Sequence, residues 1–263
     1  MGKRLNLPTR GLGAEIGLPD VAELAAWVAD HRGCSADIIS YQLDHSLAPQ
    51  IAAGIMVPCA CGRFYGDRIR SCLNGIQDDV VHEEIDVQTG ILIEDAALLT
   101  AHGNGIWCAL PAPHGLGARD GYYNDEDDWQ DALFGAYRTL MRAMRDAGTA
   151  GHVLICERAE EMEIAALARQ KVFFFQQAPD RTALETLMEH QRQIAAGIDQ
   201  LATVFDLANE YELHHLIIVD PDAEAIRLAL SHLDPDKVTA GGYCTGNGDA
   251  YWRSVVDAAF YMK

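Results

Sequence analysis

The stretch from Leu213 to Asp249, LHHLIIVDPDAEAIRLALSHLDPDKVTAGGYCTGNGD, decides the fold. His215 to Val219 is a short run rich in β-branched residues, the pattern of a buried strand. It stops at Asp220-Pro221-Asp222, where Asp222 can accept hydrogen bonds from the free N–H groups of a starting helix. Ala225, Leu228, Leu230 and Leu233 then lie about a turn apart, until Asp234-Pro235-Asp236 ends the pattern because proline cannot continue it. Val238 to Ala240 forms a second strand that enters a glycine-rich turn. Strand, helix and strand at this spacing make a βαβ unit, which implies a parallel pair joined by a right-handed crossover.

Working back from this unit, the alternation continues. Val172 to Phe175 and Val153 to Cys156 read as strands, Glu160 to Arg169 as a helix, and Trp129 to Met144 as an amphipathic helix closed by Gly148. From Thr182 to Tyr211 one apolar stripe runs through Leu184, Leu187, Ile194, Ile198, Leu201 and Phe205, with Thr182 and Glu185 as a capping box. If continuous, that helix is roughly 45 Å long and predicts a homodimer that covers part of it, unless Gly197 kinks it. The stretch from Asp249 to Met262 reads as a last helix.

The first half is less regular. Asp20 caps a helix that Gly33 ends, Ala36 to Tyr41 reads as a strand, Ser46 to Ala53 as a short helix, and Gly54 to Cys59 as a buried strand. Arg63 to Leu73 is weakly helical. Between Val80 and Glu94 the alternation predicts an antiparallel hairpin turning at Gln88-Thr89-Gly90, and Ile106 to Leu110 reads as another strand. The expected fold class is therefore α/β: a mostly parallel sheet with flanking helices in the second half, plus an irregular first half containing an antiparallel hairpin. One domain over 1–263 is expected, with a possible subdivision at the glycine- and acid-rich loop, into 1–118 and 119–263.

Of the 263 residues, 49% are hydrophobic and 22% charged, which is ordinary for a globular protein and excludes disorder. Charge is less ordinary: 39 acids against 20 Lys and Arg give a formal net charge of −19. Such a field repels phosphate backbones and anionic lipid, so neither nucleic acid nor membrane is expected as a partner. No apolar run approaches the length needed to span a bilayer, and the N-terminus carries no secretion signal, so a cytoplasmic location and reduced cysteines are expected.

In a parallel α/β sheet, ligands bind outside the carboxyl ends of the strands, where loops converge and helix N-termini point N–H groups inward. This nominates Glu157, Gln176, Asp220, Gly241, Gly242, Cys244 and Asn247, with the acids favouring a neutral or cationic small molecule. Asp222 and Asp220 also have a plain reading as helix caps. The glycine loop lacks both the dinucleotide spacing and the lysine of a phosphate loop.

His82, Glu83, Glu84 and Asp86 form the densest mixture of proton-transfer groups. On a strand, Glu83 shares a face with Ile85 and Val87, a setting that suits a general acid or base. His82, Glu83 and Asp220 are thus the candidate catalytic residues, with His102 and His114 able to approach. Cys59 and Cys61, with Cys72, Cys108 or His45, lack the spacing of a zinc site, and Asp120 to Asp128 lacks the order of a calcium loop, so no metal is expected. The sequence names no cofactor. The expected function is a cytoplasmic enzyme acting on a small polar molecule by proton transfer or hydrolysis. The alternative is a non-catalytic interaction or assembly protein that uses the 182–211 helix.

Overall fold

The computed structural model describes residues 3–31 and 36–263. In chain order the elements are β1 (Arg4–Asn6), β2 (Thr9–Ala14), α1 (Val21–Asp30), α2 (Ile38–Ala53), β3 (Cys59–Cys61), α3 (Gly66–Ser71), β4 (Leu73–Gln77), β5 (Val80–Val87), α4 (Gly90–Thr100), β6 (Trp107–Pro111) and α5 (Glu126–Asp146). They continue with β7 (Gly151–Cys156), α6 (Glu161–Leu167), β8 (Val172–Gln176), α7 (Arg181–His190), β9 (Gln193–Ala196), α8 (Ile198–Leu207), β10 (His215–Val219), α9 (Ala223–His232), β11 (Val238–Cys244), α10 (Gly248–Ala258) and β12 (Phe260–Met262).

Two four-stranded parallel sheets, β3-β6-β7-β8 and β2-β11-β10-β9, meet along two seams. At the first seam, just before β3, Gly11 N–H donates to the Val57 carbonyl at 2.9 Å and Val57 N–H to that of Thr9 at 3.0 Å. At the second, the buried Gln191 side chain stands in for a strand residue: its Oε1 accepts from Phe174 N–H at 2.8 Å and its Nε2 donates to the Phe174 carbonyl at 2.9 Å. Gln50 of α2 copies the same two-bond pattern on Cys59, at 2.9 and 2.7 Å. Side-chain amides carry the donor and the acceptor of a peptide group, so they satisfy buried backbone where a ladder stops. Around the ring the strands run in chain order, β2, β3, β6, β7, β8, β9, β10, β11, all parallel and separated by helices. This is a (β/α)8 barrel.

The α/β class, the parallel β10–β11 pair and an antiparallel hairpin are as expected. The barrel draws strands from both sides of residue 118, and β6 pairs with β7 across the loop there.

Several local expectations are corrected. The 182–211 segment is not one helix: α7 ends at His190, β9 pairs with β10 from Gln193↔His215 to Ala196↔Ile218, and α8 follows. Ile194 favours a strand and Ala195 and Ala196 a helix by local preference, and the partner strand decides. The apolar stripe is therefore core, and the argument for an interaction protein or homodimer built on that helix falls. Ala36 to Tyr41 is not a strand, because Asp37 caps α2 by accepting from Ser40 N–H at 2.8 Å. The hairpin turns at Asp78-Asp79, both at positive φ, and Gln88-Thr89-Gly90 instead leads into α4. The N-caps of α5 and α7 are Asp125 and Asp180, each earlier than the sequence pattern suggested. Phe260 belongs to β12, which pairs with β1, and not to the last helix. Gly33 lies outside the described residues. Cys61 and Cys108 are bridged as a disulfide, contrary to the expectation of reduced thiols, while Cys59, Cys72, Cys156 and Cys244 are free and buried.

The barrel is filled, not hollow. At the end where the strands begin, which we call the floor, the Arg10 guanidinium stacks over the rings of Trp107 at 4.0 Å and Phe173 at 4.8 Å. These three residues come from β2, β6 and β8, alternate strands of the ring, as the layered interior of such a barrel requires. His215 of β10 lies close to Arg10 and meets Thr239 Oγ1 at 2.7 Å. Gly241 of β11 exists to admit Ile217, whose Cγ2 lies 2.4 Å from where a Cβ would stand.

Candidate active site

The strands end at the opposite face, here called the mouth, where functional groups gather in this architecture. Just past β2, the Glu15 carboxylate accepts a short hydrogen bond from the Tyr243 hydroxyl of β11. Arg63, just past β3, stands 3.8 Å from the same carboxylate. Burial and the neighbouring carboxylate push the Tyr243 hydroxyl up, so it remains a neutral donor. Its ring lies against Phe175 of β8, with centroids 5.7 Å apart. Cys156, at the end of β7, is pushed up to about 12 by burial, with Glu163 adding to the rise and Arg63 opposing it. It is a thiol and not a nucleophilic thiolate.

A second pair sits over the ends of β6 and β7. Glu163, in the first turn of α6, takes the His114 backbone N–H at 2.6 Å and its ring Nδ1 at 2.8 Å. That contact fixes the ring and leaves Nε2, which is buried and meets no partner among the described residues. A carboxylate that holds one imidazole nitrogen and leaves the other free is the arrangement of an oriented proton carrier.

Beside these lies a cavity of about 260 Å³ over β8, β9 and β10, lined by Phe175, Gln176, Gly197, Asp199, Gln200 and Asp220 among others. Asp220 is exposed at φ +51°, held by its N–H to the Gly241 carbonyl at 3.0 Å, and accepts a short bond from the Tyr251 hydroxyl. Burial and that carboxylate also raise Tyr251. Gln176, which lines this cavity, has a buried Oε1 without a partner among the described residues. A larger groove of about 690 Å³ runs between α9 and β12, away from the mouth.

The strand-end candidates thus share one face, in differing roles. Glu157 is exposed just past β7, and Gln176 and Asp220 line the cavity. Gly241 and Gly242 are packed by Ile217 and by Tyr251, so their missing side chains serve the protein's own packing, not a ligand's approach. Asn247 caps α10 by accepting from Ala250 N–H at 3.2 Å, and Asp222 caps α9. Cys244 is a buried thiol raised by burial.

His82 and Glu83 do not join this group. Both are exposed on the β4–β5 hairpin, where β5 carries extra residues opposite Gly75 and the bulge turns Glu83 out of the face shared by Val81 and Ile85. The hairpin is tied to the segment after β6 through Val81 N–H to the Arg119 carbonyl and Ile85 N–H to the Tyr123 hydroxyl. Asp220 follows β10, across the ring. His102 pairs with Asp44 at 3.0 Å instead. Asp120 accepts from three successive backbone N–H groups, a turn and not a cation loop. Among the described residues no three His, Cys, Asp or Glu side chains are placed to hold a metal ion.

Glu15, Arg63, Tyr243 and Glu163 were not nominated from sequence as catalytic or ligand-binding, and His114 entered only as a residue able to approach His82 and Glu83. Reading Thr9 to Ala14 as a strand would have brought Glu15 under the same strand-end rule.

The sequence matches no protein-family model and no curated protein. The fold resembles solved structures over nearly the whole chain. A B12-independent methionine synthase from Shewanella sp. W3-18-1, solved in complex with selenomethionine, aligns with TM-score 0.63 and 14% identity, covering 97% of both chains. A putative vitamin-B12-independent methionine synthase from Listeria monocytogenes aligns with TM-score 0.65 and 12% identity, over 97% of this chain and 95% of that one. A methyltransferase from Methanosarcina mazei gives 0.58 and 10%, over 97% and 93%. At these identities the likeness is one of fold.

Proposed function

We propose that this protein is an enzyme acting on a small polar molecule at the carboxyl ends of its barrel strands, by acid–base chemistry. The observation that carries the reading is the line Tyr243–Glu15–Arg63 at the mouth: a neutral hydroxyl donor, a carboxylate acceptor and a cation within reach of one another. Tyr243 and Glu15 exchange a proton with the substrate, Arg63 receives an anionic group, and Asp220 with Gln176 holds the remainder in the adjoining cavity. His114, oriented by Glu163, is a second proton carrier at the rim. The hairpin residues His82 and Glu83 have no part in this reading, and homodimer formation has lost the helix on which it rested.

The test is a binding screen by saturation-transfer NMR over amino acids, hydroxy acids and sugars. Methionine goes first, because the Shewanella protein was solved with its selenium analogue. At least one compound is expected to bind the native protein and to lose at least about tenfold in affinity in both Tyr243→Phe and Asp220→Asn. Binders indifferent to both substitutions, or none in the screen, would overturn the reading.

A further inference from the structure

The floor of the barrel gathers basic side chains in an acidic protein. A cavity of about 590 Å³ opens there at the starts of β8, β9 and β10, and its lining includes Arg169, His190, Arg192, His214 and His215 but no Asp or Glu. In a chain with 39 acids and 20 Lys and Arg, that lining runs against the overall composition. At the rim Glu212 pairs with Arg192 at 3.0 Å and with His214 at 2.7 Å. Two further basic residues meet no carboxylate among the described residues: the exposed Arg169 guanidinium donates to the backbone carbonyls of Ala165 and Ala168, and His190 Nε2 is buried without a partner.

Behind Phe173 and His215, which also line this cavity, lies Arg10. It is 8% exposed, and its Nε and Nη2 are buried with no partner among the described residues. Burial lowers it to about 10, the nearby Cys59 already offsetting part of the drop. The faces of Trp107 and Phe173 offset some of the lost hydration but accept no hydrogen bond. A buried cation without a counter-charge is costly, and an anion entering the adjacent cavity relieves that cost.

We propose that this floor cavity binds a small phosphate-bearing molecule, at a site separate from the mouth. Phosphate fits better than a carboxylate because the donors Arg169, His190 and His214 surround the cavity from different elements. A tetrahedral dianion accepts on all sides, while a carboxylate presents two oxygens on one.

The experiment is calorimetric titration of inorganic phosphate into the full chain. One saturable event is expected, weakened at least about tenfold in Arg169→Gln/His190→Gln and unchanged in Glu15→Gln at the mouth. If the double variant does not fold, judged by circular dichroism, the exposed Arg192→Gln serves in its place with a weaker but measurable loss. The proposal is overturned by no saturable heat up to about 10 mM phosphate, by wild-type affinity in the folded variant, or by citrate binding where phosphate does not.

Discussion

At the floor of the barrel Arg10 lies stacked on Trp107 and Phe173 with no carboxylate paired to it among the described residues, whereas at the mouth Tyr243, Tyr251 and His114 each meet a carboxylate. The same eight strands feed both ends. The floor polar groups are embedded in a packed layer, where their role in the fold is set by burial. The mouth groups sit at strand ends and on the turns that follow, Glu15 past β2, Arg63 past β3, His114 past β6 and Asp220 past β10, where changing them costs the core little. The division expected of such a barrel is stability at the strand starts and functional groups at the strand ends.

The largest expected effect tests that division from the packed side. Ile217 is fully buried, and its methyl fills the space Gly241 leaves open, so Ile217→Ala should cost about 2–5 kcal/mol in chemical denaturation. A loss below about 1 kcal/mol would mean that the interior is not packed as described.

An intermediate effect is read by pH. His152, at the start of β7, is fully buried and bonds the Met141 carbonyl at 3.0 Å, and burial pushes it down to about 3 from 6.5. Above pH 6.5 the ring is neutral folded and unfolded, so its full contribution is present. As pH falls from 6.5 towards about 3 the unfolded chain takes up the proton and the folded one does not, and stability is lost by roughly 1 kcal/mol per pH unit. His152→Gln should flatten the denaturation midpoint against pH in that window. An unchanged slope would place the acid sensitivity elsewhere.

The smallest expected effect on stability is at the mouth. Asp220→Asn keeps an acceptor for the Tyr251 hydroxyl on an exposed residue, and should shift stability by about 1 kcal/mol or less. A loss equal to that of Ile217→Ala would erase the distinction between the two ends.

Much of this was written in local sequence. β-branched runs and proline stops set β10, α9 and β11, Asp222 and Asp20 marked their helix starts, and a parallel α/β class followed from the βαβ unit. The strand-end rule then reached Gln176 and Asp220, because both lie one step past a recognisable strand. What local pattern could not carry was partnership. Ile194, Ala195 and Ala196 become a strand only because β10 lies beside them. Glu83 leaves its apolar face only where β5 bulges opposite Gly75, whose missing side chain makes room for the Glu83 and Glu84 carbonyls. Eight strands become a closed ring through backbone bonds between β2 and Val57 at one seam and the Gln191 amide at the other, with Gln50 completing hydrogen bonds on Cys59. The mouth follows the same logic, since Glu15 and Tyr243 are 228 residues apart in sequence and meet through the closure of the barrel. Sequence determined the elements, whose periodicity and caps act within a few residues. Tertiary structure decided the ring and its site, because hydrogen bonds and charges act on distance in space and not on distance along the chain.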